Sequence, residues 1–408
     1  MEPKEVRRLS VVFALIYFFS TNGLASLPGL AISFLQKDVL LLTASQMAYF
    51  GSVTMLGWLV KPLWGMISDT VPIFGYRRKS WLIITALCGA IIWYSLGTIP
   101  TASYTWTLLL TLFTASAMCY AFNDVICDAL MVETGKPHNL TGKFQSVQWS
   151  AVYTASILVG VSSGFVAEHL SYQTIFRVNA LFPLIVLFFV LFYVKEARSA
   201  GPRREQARAG MVALKEALRD RRLLAIAFFL FFWTFSPSYG TPFFFFTVDT
   251  LHFGKVYLGV AGTVGAVGAL LGALAFGRYE TRFNAKNMLR LMIVAGVVMT
   301  LADFIYFSPL AGYPILIRGY NLTAVLIGGA LSGFVGIALL NLGAKICPKY
   351  GEGTTFAALA SFWNIGLMAS GALGGLMFDL IGLKPLIVVS AAFTAAAWFL
   401  LPMLKLEK

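Results

Sequence analysis

Apolar residues run along the chain in twelve long blocks separated by short polar stretches, roughly at 9–33, 46–67, 80–98, 104–129, 144–167, 174–194, 223–247, 257–277, 288–308, 321–344, 354–378 and 384–403. About 20 apolar residues in a helix span about 30 Å of hydrocarbon, so each block predicts a membrane-crossing helix. The first block is too long for a cleaved signal peptide. It is interrupted by Asn22-Gly23 and Pro28, and it lacks a clean small-residue cleavage site. The longest polar stretch, Lys195 to Arg222, contains Gly201-Pro202 and divides six blocks from six. The predicted organisation is therefore an N-terminal six-helix half at 1–194, a linker at 195–222, and a C-terminal half at 223–408.

An internal repeat supports that division. Gly142 to Glu168 aligns with Gly353 to Asp379 at a constant offset of 211, matching Gly142/Gly353, Ser150/Ser361, Gly160/Gly371, Gly164/Gly375 and Glu168/Asp379. The reading is an all-α integral membrane protein, twelve transmembrane helices in two six-helix halves, the layout of major facilitator transporters, whose sites sit midway between the halves. Close-spaced small residues, Gly160/Gly164, Gly268/Gly272 and Gly329/Gly333, are expected to let helix backbones approach.

Composition excludes most alternatives. Of 408 residues, 58% are hydrophobic and only 12% charged, about half the charged share of a soluble chain. A water-soluble enzyme is excluded, and no loop has room for a second folded domain. The net charge of +13 suggests nucleic acid until its distribution is read. With the N-terminus cytoplasmic, 25 of the 31 Lys and Arg fall on inner segments and five on outer ones, with Lys61 inside the second block. That asymmetry predicts a multi-pass protein with both termini in the cytoplasm, most simply in a cell inner membrane. The charge orients the chain in a lipid bilayer and binds no nucleic acid. Cys88, Cys119, Cys127 and Cys347 form no spaced metal or disulfide pattern, and His138, His169 and His252 are scattered loop residues. Without a phosphate-cradling loop, a catalytic grouping or a metal cluster, the chain reads as neither an enzyme nor an ATP-driven pump, and no cofactor is expected. Asn139-Leu-Thr141 and Asn321-Leu-Thr323 match the glycosylation pattern by chance.

Ionisable residues inside a span cost several kcal/mol unless paired or hydrated, and so mark function. Lys61, Asp124, Asp128 and Asp303 qualify. Asp124 and Asp128, four residues apart, share one helix face in the inner third of the fourth block, with Lys61 at similar depth. This cluster has three readings: proton coupling, a fixed ion network holding an inner gate, or direct substrate contact. Asp303 is expected to make a local polar contact. At the cytoplasmic turn, Gly65-Met-Ile-Ser-Asp69 and Gly75-Tyr-Arg77-Arg78-Lys79 combine a close-packing glycine, a capping acid and arginines able to clamp carboxylates. The alternative there is a solvated turn that serves only the charge asymmetry. Ser236-Pro237-Ser238-Tyr239-Gly240-Thr241-Pro242 interrupts the seventh block, as a gate, a binding site or a simple kink.

The stretches Lys61-Pro-Leu-Trp-Gly-Met-Ile-Ser-Asp69, Pro72-Ile-Phe-Gly-Tyr-Arg-Arg78, Asn123-Asp-Val-Ile-Cys-Asp-Ala-Leu-Met-Val-Glu133, Gly142-Lys-Phe-Gln-Ser-Val-Gln-Trp149, Cys347-Pro348, Glu352-Gly-Thr-Thr-Phe-Ala357 and Ser361-Phe-Trp-Asn364 resemble the folate-biopterin transporter family of the major facilitator superfamily. The resemblance spans both halves. It implies a secondary active transporter that moves a pterin- or folate-like heterocycle by alternating access in symport with protons. A carrier for another organic solute such as S-adenosylmethionine, or a uniporter, is the alternative. Asp124, Asp128, Lys61, Asp69, Arg77, Arg78 and Glu133 are the coupling and gating candidates. Asn22, Gln145, Gln148, Asn341 and Asn364 can read the edge of a heterocycle, and Trp149, Trp233 and Tyr239, with Phe19, Tyr120 and Trp363, can stack on its face. Mid-membrane cations are few, which favours a neutral pterin or another zwitterion over the two carboxylates of a folate. The expected partners are the small-molecule substrate, protons and lipid, with the protein a monomer.

Overall fold

Where twenty or more apolar residues follow one another without proline or polar interruption, backbone hydrogen bonding inside the segment is the only way to satisfy amides in hydrocarbon. The computed structural model describes residues 3–20, 23–138, 140–198, 212, 215, 219–279, 285–346 and 352–404, so most of the predicted linker lies outside the described residues. The helices in chain order are α1 (Pro3–Phe18), α2 (Gly29–Phe34), α3 (Ala44–Thr54), α4 (Leu56–Leu59), α5 (Lys61–Thr70), α6 (Lys79–Thr98), α7 (Trp106–Gly135), α8 (Thr141–His169) and α9 (Tyr172–Tyr193). They continue with α10 (Arg221–Thr234), α11 (Gly240–Asp249), α12 (Lys255–Tyr279), α13 (Ala285–Ala302), α14 (Pro314–Ile346), α15 (Glu352–Ile381) and α16 (Leu383–Ala396). No strand occurs among the described residues; one isolated bridge joins Ile73 and Tyr76.

Nine helices among the described residues are long and apolar enough to cross a membrane, and they coincide with the third to sixth and eighth to twelfth blocks. The other three blocks are helical in pieces. The first breaks after Phe18 and resumes as a 3-10 turn at Leu24–Ser26 and then α2. The second breaks at Met55 and again at Val60, just before Lys61-Pro62. The seventh breaks at Ser236-Pro237-Ser238, where proline removes a backbone donor.

Two packed units result. The described residues of 1–35 and 56–198 form one, and those of 36–55 and 212–404 form the other. The first is built on Phe13, Ile16, Tyr17, Leu82, Ile126, Cys127 and Phe144, all buried, with Phe13 edge-on to Phe144 at 5.2 Å where α1 meets α8. Its α6 and α9 are joined by Arg177, whose Nε donates to the Gly97 carbonyl at 2.7 Å. The second unit is built on Ile226, Phe229, Leu289, Met292, Ala338, Leu339 and Leu359. Within it α3 lies along α15: the Ser45 hydroxyl donates to the Asp379 carboxylate, and Ser52 Oγ donates to the Met368 carbonyl at 3.0 Å. The outward surface is apolar, with Phe192 67%, Leu274 63% and Phe399 79% exposed, as a lipid-facing surface must be.

α12 and α14 cross at glycines, as the small-residue spacing predicts. A β-carbon at Gly272 would run into the Ala330 carbonyl, and one at Gly333 into the Ala269 carbonyl. Because the obstacle in each case is backbone, no side-chain adjustment relieves it. Gly333→Val is therefore expected to destabilise the protein by about 2 kcal/mol or more, read as a lower unfolding midpoint in detergent. Gly319→Ala on the same helix, where nothing lies within 4 Å, is expected to leave the midpoint unchanged or raise it slightly.

Candidate functional site

The polar side chains of the first unit gather at two levels along α7. At the deeper level, Asp124 and Asp128 project from one face of α7, one turn apart. Lys61, at the start of α5 where the second block breaks, reaches across to Asp124, with Nζ–Oδ2 at 2.9 Å. Both side chains are largely shielded, 17% and 10% exposed. The Lys61 ammonium also lies 4.8 Å from the Trp58 ring centroid, a cation–π contact that adds to its hold.

Asp128 has a different environment. The fully buried Tyr17 of α1 donates its hydroxyl to Asp128 Oδ1 at 2.5 Å, and Gln148 Nε2 of α8 donates to the same oxygen at 3.4 Å. Tyr17 also reaches the Asp124 carbonyl, at 3.5 Å. Among the described residues no cation lies within ion-pair distance of Asp128. The two carboxylates, equivalent in sequence, are thus inequivalent in space: one is neutralised by a lysine and the other is held by neutral donors. Trp64 of α5 stacks on Phe122 of α7 at 5.0 Å, an apolar contact between the helices that carry Lys61 and the two acids.

At the second level, the turn before α6 brings two arginines against two acids. Arg78 Nη2 meets Asp69 Oδ1 at 2.6 Å and Glu133 Oε1 at 2.9 Å, and Arg78 Nη1 donates to the Ser68 hydroxyl. Arg77 Nη1 lies farther off, at 3.7 Å from Asp69 and 3.8 Å from Glu133. Both arginines are buried. The turn itself reverses through Phe74 and Gly75 at positive φ, 53° and 80°, and Gly75 tolerates that conformation without a side-chain clash. Glu196 accepts the backbone amides of Arg77 at 3.0 Å, Arg78 at 3.1 Å and Lys79 at 2.8 Å, placing a carboxylate on the positive end of the α6 dipole. Burial pushes the Asp69 carboxyl above its ordinary range; the Arg78 guanidinium pulls it down, and the Glu133 charge pushes it up again.

Sequence reasoning named Asp124, Asp128, Lys61, Asp69, Arg77, Arg78 and Glu133, and the fold brings them together as these two clusters. It missed Tyr17, Ser68 and Glu196. Tyr17 is one hydroxyl in an apolar run, and Glu196 is one acid in a stretch read as basic linker.

The substrate candidates are dispersed. Gln145 and Trp149 are exposed one turn apart on α8, with Trp149 beside Tyr153 at 5.9 Å. Gln148 is turned inward onto Asp128. In the second unit Trp233 stacks on Phe229 at 6.2 Å, and Tyr239, at the break before α11, donates to Asp303 Oδ2 at 2.8 Å. That bond is the local contact expected of Asp303. The serines of this break hold it to neighbouring helices: Ser236 Oγ donates to the Ser390 carbonyl at 3.0 Å, and the Ser238 amide to the Ser370 carbonyl at 3.1 Å. Asn341 and Asn364 are half-buried on α14 and α15. Asn22 lies outside the described residues.

The model of the BT1 family matches residues 22–401. A folate-biopterin transporter of Synechocystis sp. is 29% identical over 374 residues, covering 91% of this chain and 75% of the relative. Probable folate-biopterin transporter 4 of Arabidopsis thaliana is 24% identical over 434 residues, covering 91% and 88%. Among solved structures, a mutant form of the nucleoside transporter NupG superposes with a TM-score of 0.76 at 13% identity, covering 98% of this chain and 100% of the other. At that identity the likeness carries the fold, and the fold is that of the major facilitator superfamily.

Removing one partner from a shielded ion pair leaves an uncompensated charge, whereas replacing both by apolar groups does not. Lys61→Met is expected to cost about 3 kcal/mol or more of stability. Lys61→Met combined with Asp124→Leu is expected to recover most of that loss. Thermal unfolding of the purified protein in detergent reads both.

Proposed function

The chain belongs to the BT1 family, a family of transporters rather than enzymes within the major facilitator superfamily, and from that premise we propose that it is a secondary carrier moving a folate- or pterin-like heterocycle by alternating access in symport with protons. The observation that carries the coupling is the split between Asp124 and Asp128. Lys61 is committed to Asp124 at 2.9 Å, which leaves Asp128 as the carboxylate that gains or loses a proton without breaking an ion pair. Tyr17 and Gln148 hold Asp128 in place by hydrogen bonds that are available in either protonation state once the tyrosine hydroxyl turns. In this reading Asp124 and Lys61 are the structural pair that positions α5 against α7. Arg77, Arg78, Asp69 and Glu133 form the cytoplasmic gating cluster, which Glu196 anchors through the amides at the start of α6.

The substrate class is supported by the two relatives named as folate-biopterin transporters, with which this chain shares most of its length. Flat heterocycles suit the exposed Trp149 with Gln145 one turn before it, a stacking face beside an amide. Trp233, Tyr239, Asn341, Asn364 and Asn22 complete the proposed substrate set. Orientation follows the charge asymmetry, with both termini in the cytoplasm, the membrane being the cell inner membrane and the carrier a monomer.

The test is uptake of radiolabelled biopterin and folate into proteoliposomes, with and without an inward proton gradient. Gradient-stimulated uptake of either is the expected result. Uptake indifferent to the gradient would make the chain a uniporter, and no uptake of either compound would remove the substrate class. Asp128→Asn is expected to lower gradient-driven uptake to background while solute exchange in the absence of a gradient persists. Undiminished gradient-driven uptake by the folded variant removes Asp128 as the coupling group. For orientation, Ser103→Cys in a background without native thiols is expected to react with an impermeant maleimide on intact cells. His138→Cys is expected to react only after permeabilisation.

A further inference from the structure

The first unit carries a cavity that the transport reading does not use. It has a volume of about 630 Å³ and lies between the start of α1 and the start of α8, lined by Arg7, Ser10, Val11, His138, Lys143 and Val147 among others. Ligand pockets commonly measure about 300–1,000 Å³, so its size admits an organic molecule. Its chemistry is ordered by depth. Arg7 and Val11 are four residues apart on α1, and Lys143 and Val147 are four apart on α8. On each helix one turn, about 5.4 Å, separates a cation from a branched apolar side chain. α1 and α8 are the first and fifth spans, so they enter the membrane in the same direction, and both cations lie at the same surface with both valines beneath them.

Charge and satisfaction point the same way. Among the described residues neither Arg7 nor Lys143 has a carboxylate within ion-pair distance, although Arg8, next to Arg7, pairs with Glu5 at 3.7 Å. The Ser10 hydroxyl is buried with no hydrogen-bond partner among the described residues. Two cations without a carboxylate and a hydroxyl without a partner among the described residues, with two apolar side chains one turn deeper, match an amphiphile with an anionic head and a hydrocarbon tail. We infer that this groove is a binding site for one anionic phospholipid, its phosphate held by Arg7 and Lys143 and its acyl chain lying along Val11 and Val147. The inference rests on the membrane reading, and the orientation proposed above puts the site in the cytoplasmic leaflet, where anionic lipids are enriched.

Native mass spectrometry of the full chain in detergent, titrated with phosphatidylglycerol or phosphatidylcholine, tests it without reference to transport. The wild-type protein is expected to retain one phosphatidylglycerol with about tenfold or greater preference over phosphatidylcholine. Arg7→Gln/Lys143→Gln is expected to lose the preference, and Arg7→Lys/Lys143→Arg, which keeps both charges, to retain it. Equal retention of the two lipids by the wild type, or an unchanged preference in the glutamine variant, overturns the site. Displacement of the lipid by glycerol 3-phosphate or by folate at matched concentration also overturns it, because the groove then takes a soluble anion. Failure of the uptake experiment leaves this result standing, and an inverted orientation only moves the site to the other leaflet.

Discussion

A charge or a backbone amide without a partner costs several kcal/mol in hydrocarbon, where no water is available to supply one. The charged side chains within the spans of this protein answer to that cost. Lys61 lies within a span and is matched by Asp124. Asp128 is enclosed by Tyr17 and Gln148, and Asp303 is met by Tyr239. The same rule governs the backbone. Where the seventh span breaks, Ser370 donates to the Ser236 carbonyl, and the Ser238 amide finds the Ser370 carbonyl.

Partnering is achieved in two chemically distinct ways. Lys61 with Asp124, and Arg78 with Asp69 and Glu133, cancel charge against charge. Removing one member of such a group strands the charge of the other. Tyr17 and Gln148 satisfy Asp128 by hydrogen bonding alone, so a proton added there strands nothing. One turn of α7 thus separates a carboxylate paired with a lysine from one held by neutral donors. The arginine cluster carries its own version of this division, with Arg78 in close contact with both acids and Arg77 at 3.7 and 3.8 Å from them.

The broken helices are where local sequence and tertiary packing meet. Met55, Val60 and Pro237 interrupt spans that hydropathy alone reads as continuous, and each interruption serves a contact. The break at Val60 starts α5 with Lys61 facing α7. The piece before the break at Met55, α3, packs on α15 through Ser45 and Ser52. The break at Pro237 leaves Tyr239 at the start of α11, aimed at Asp303.

The membrane character, the helical spans with their approximate limits and the residues of both charged clusters were legible in the sequence. Transfer of a segment into lipid is a sum over about 20 neighbouring residues, and a charge inside such a segment stands out without knowledge of its partner. Partner choice has no such local signature. Lys61 selects Asp124 from 63 residues away, and Tyr17 selects Asp128 from 111 away. Glu196 reaches the Arg77 amide from a stretch that composition marks as basic. Gln148 turns onto Asp128, while Gln145 and Trp149 on the same helix stay exposed. These choices depend on where helix faces come to lie, which only packing in three dimensions decides.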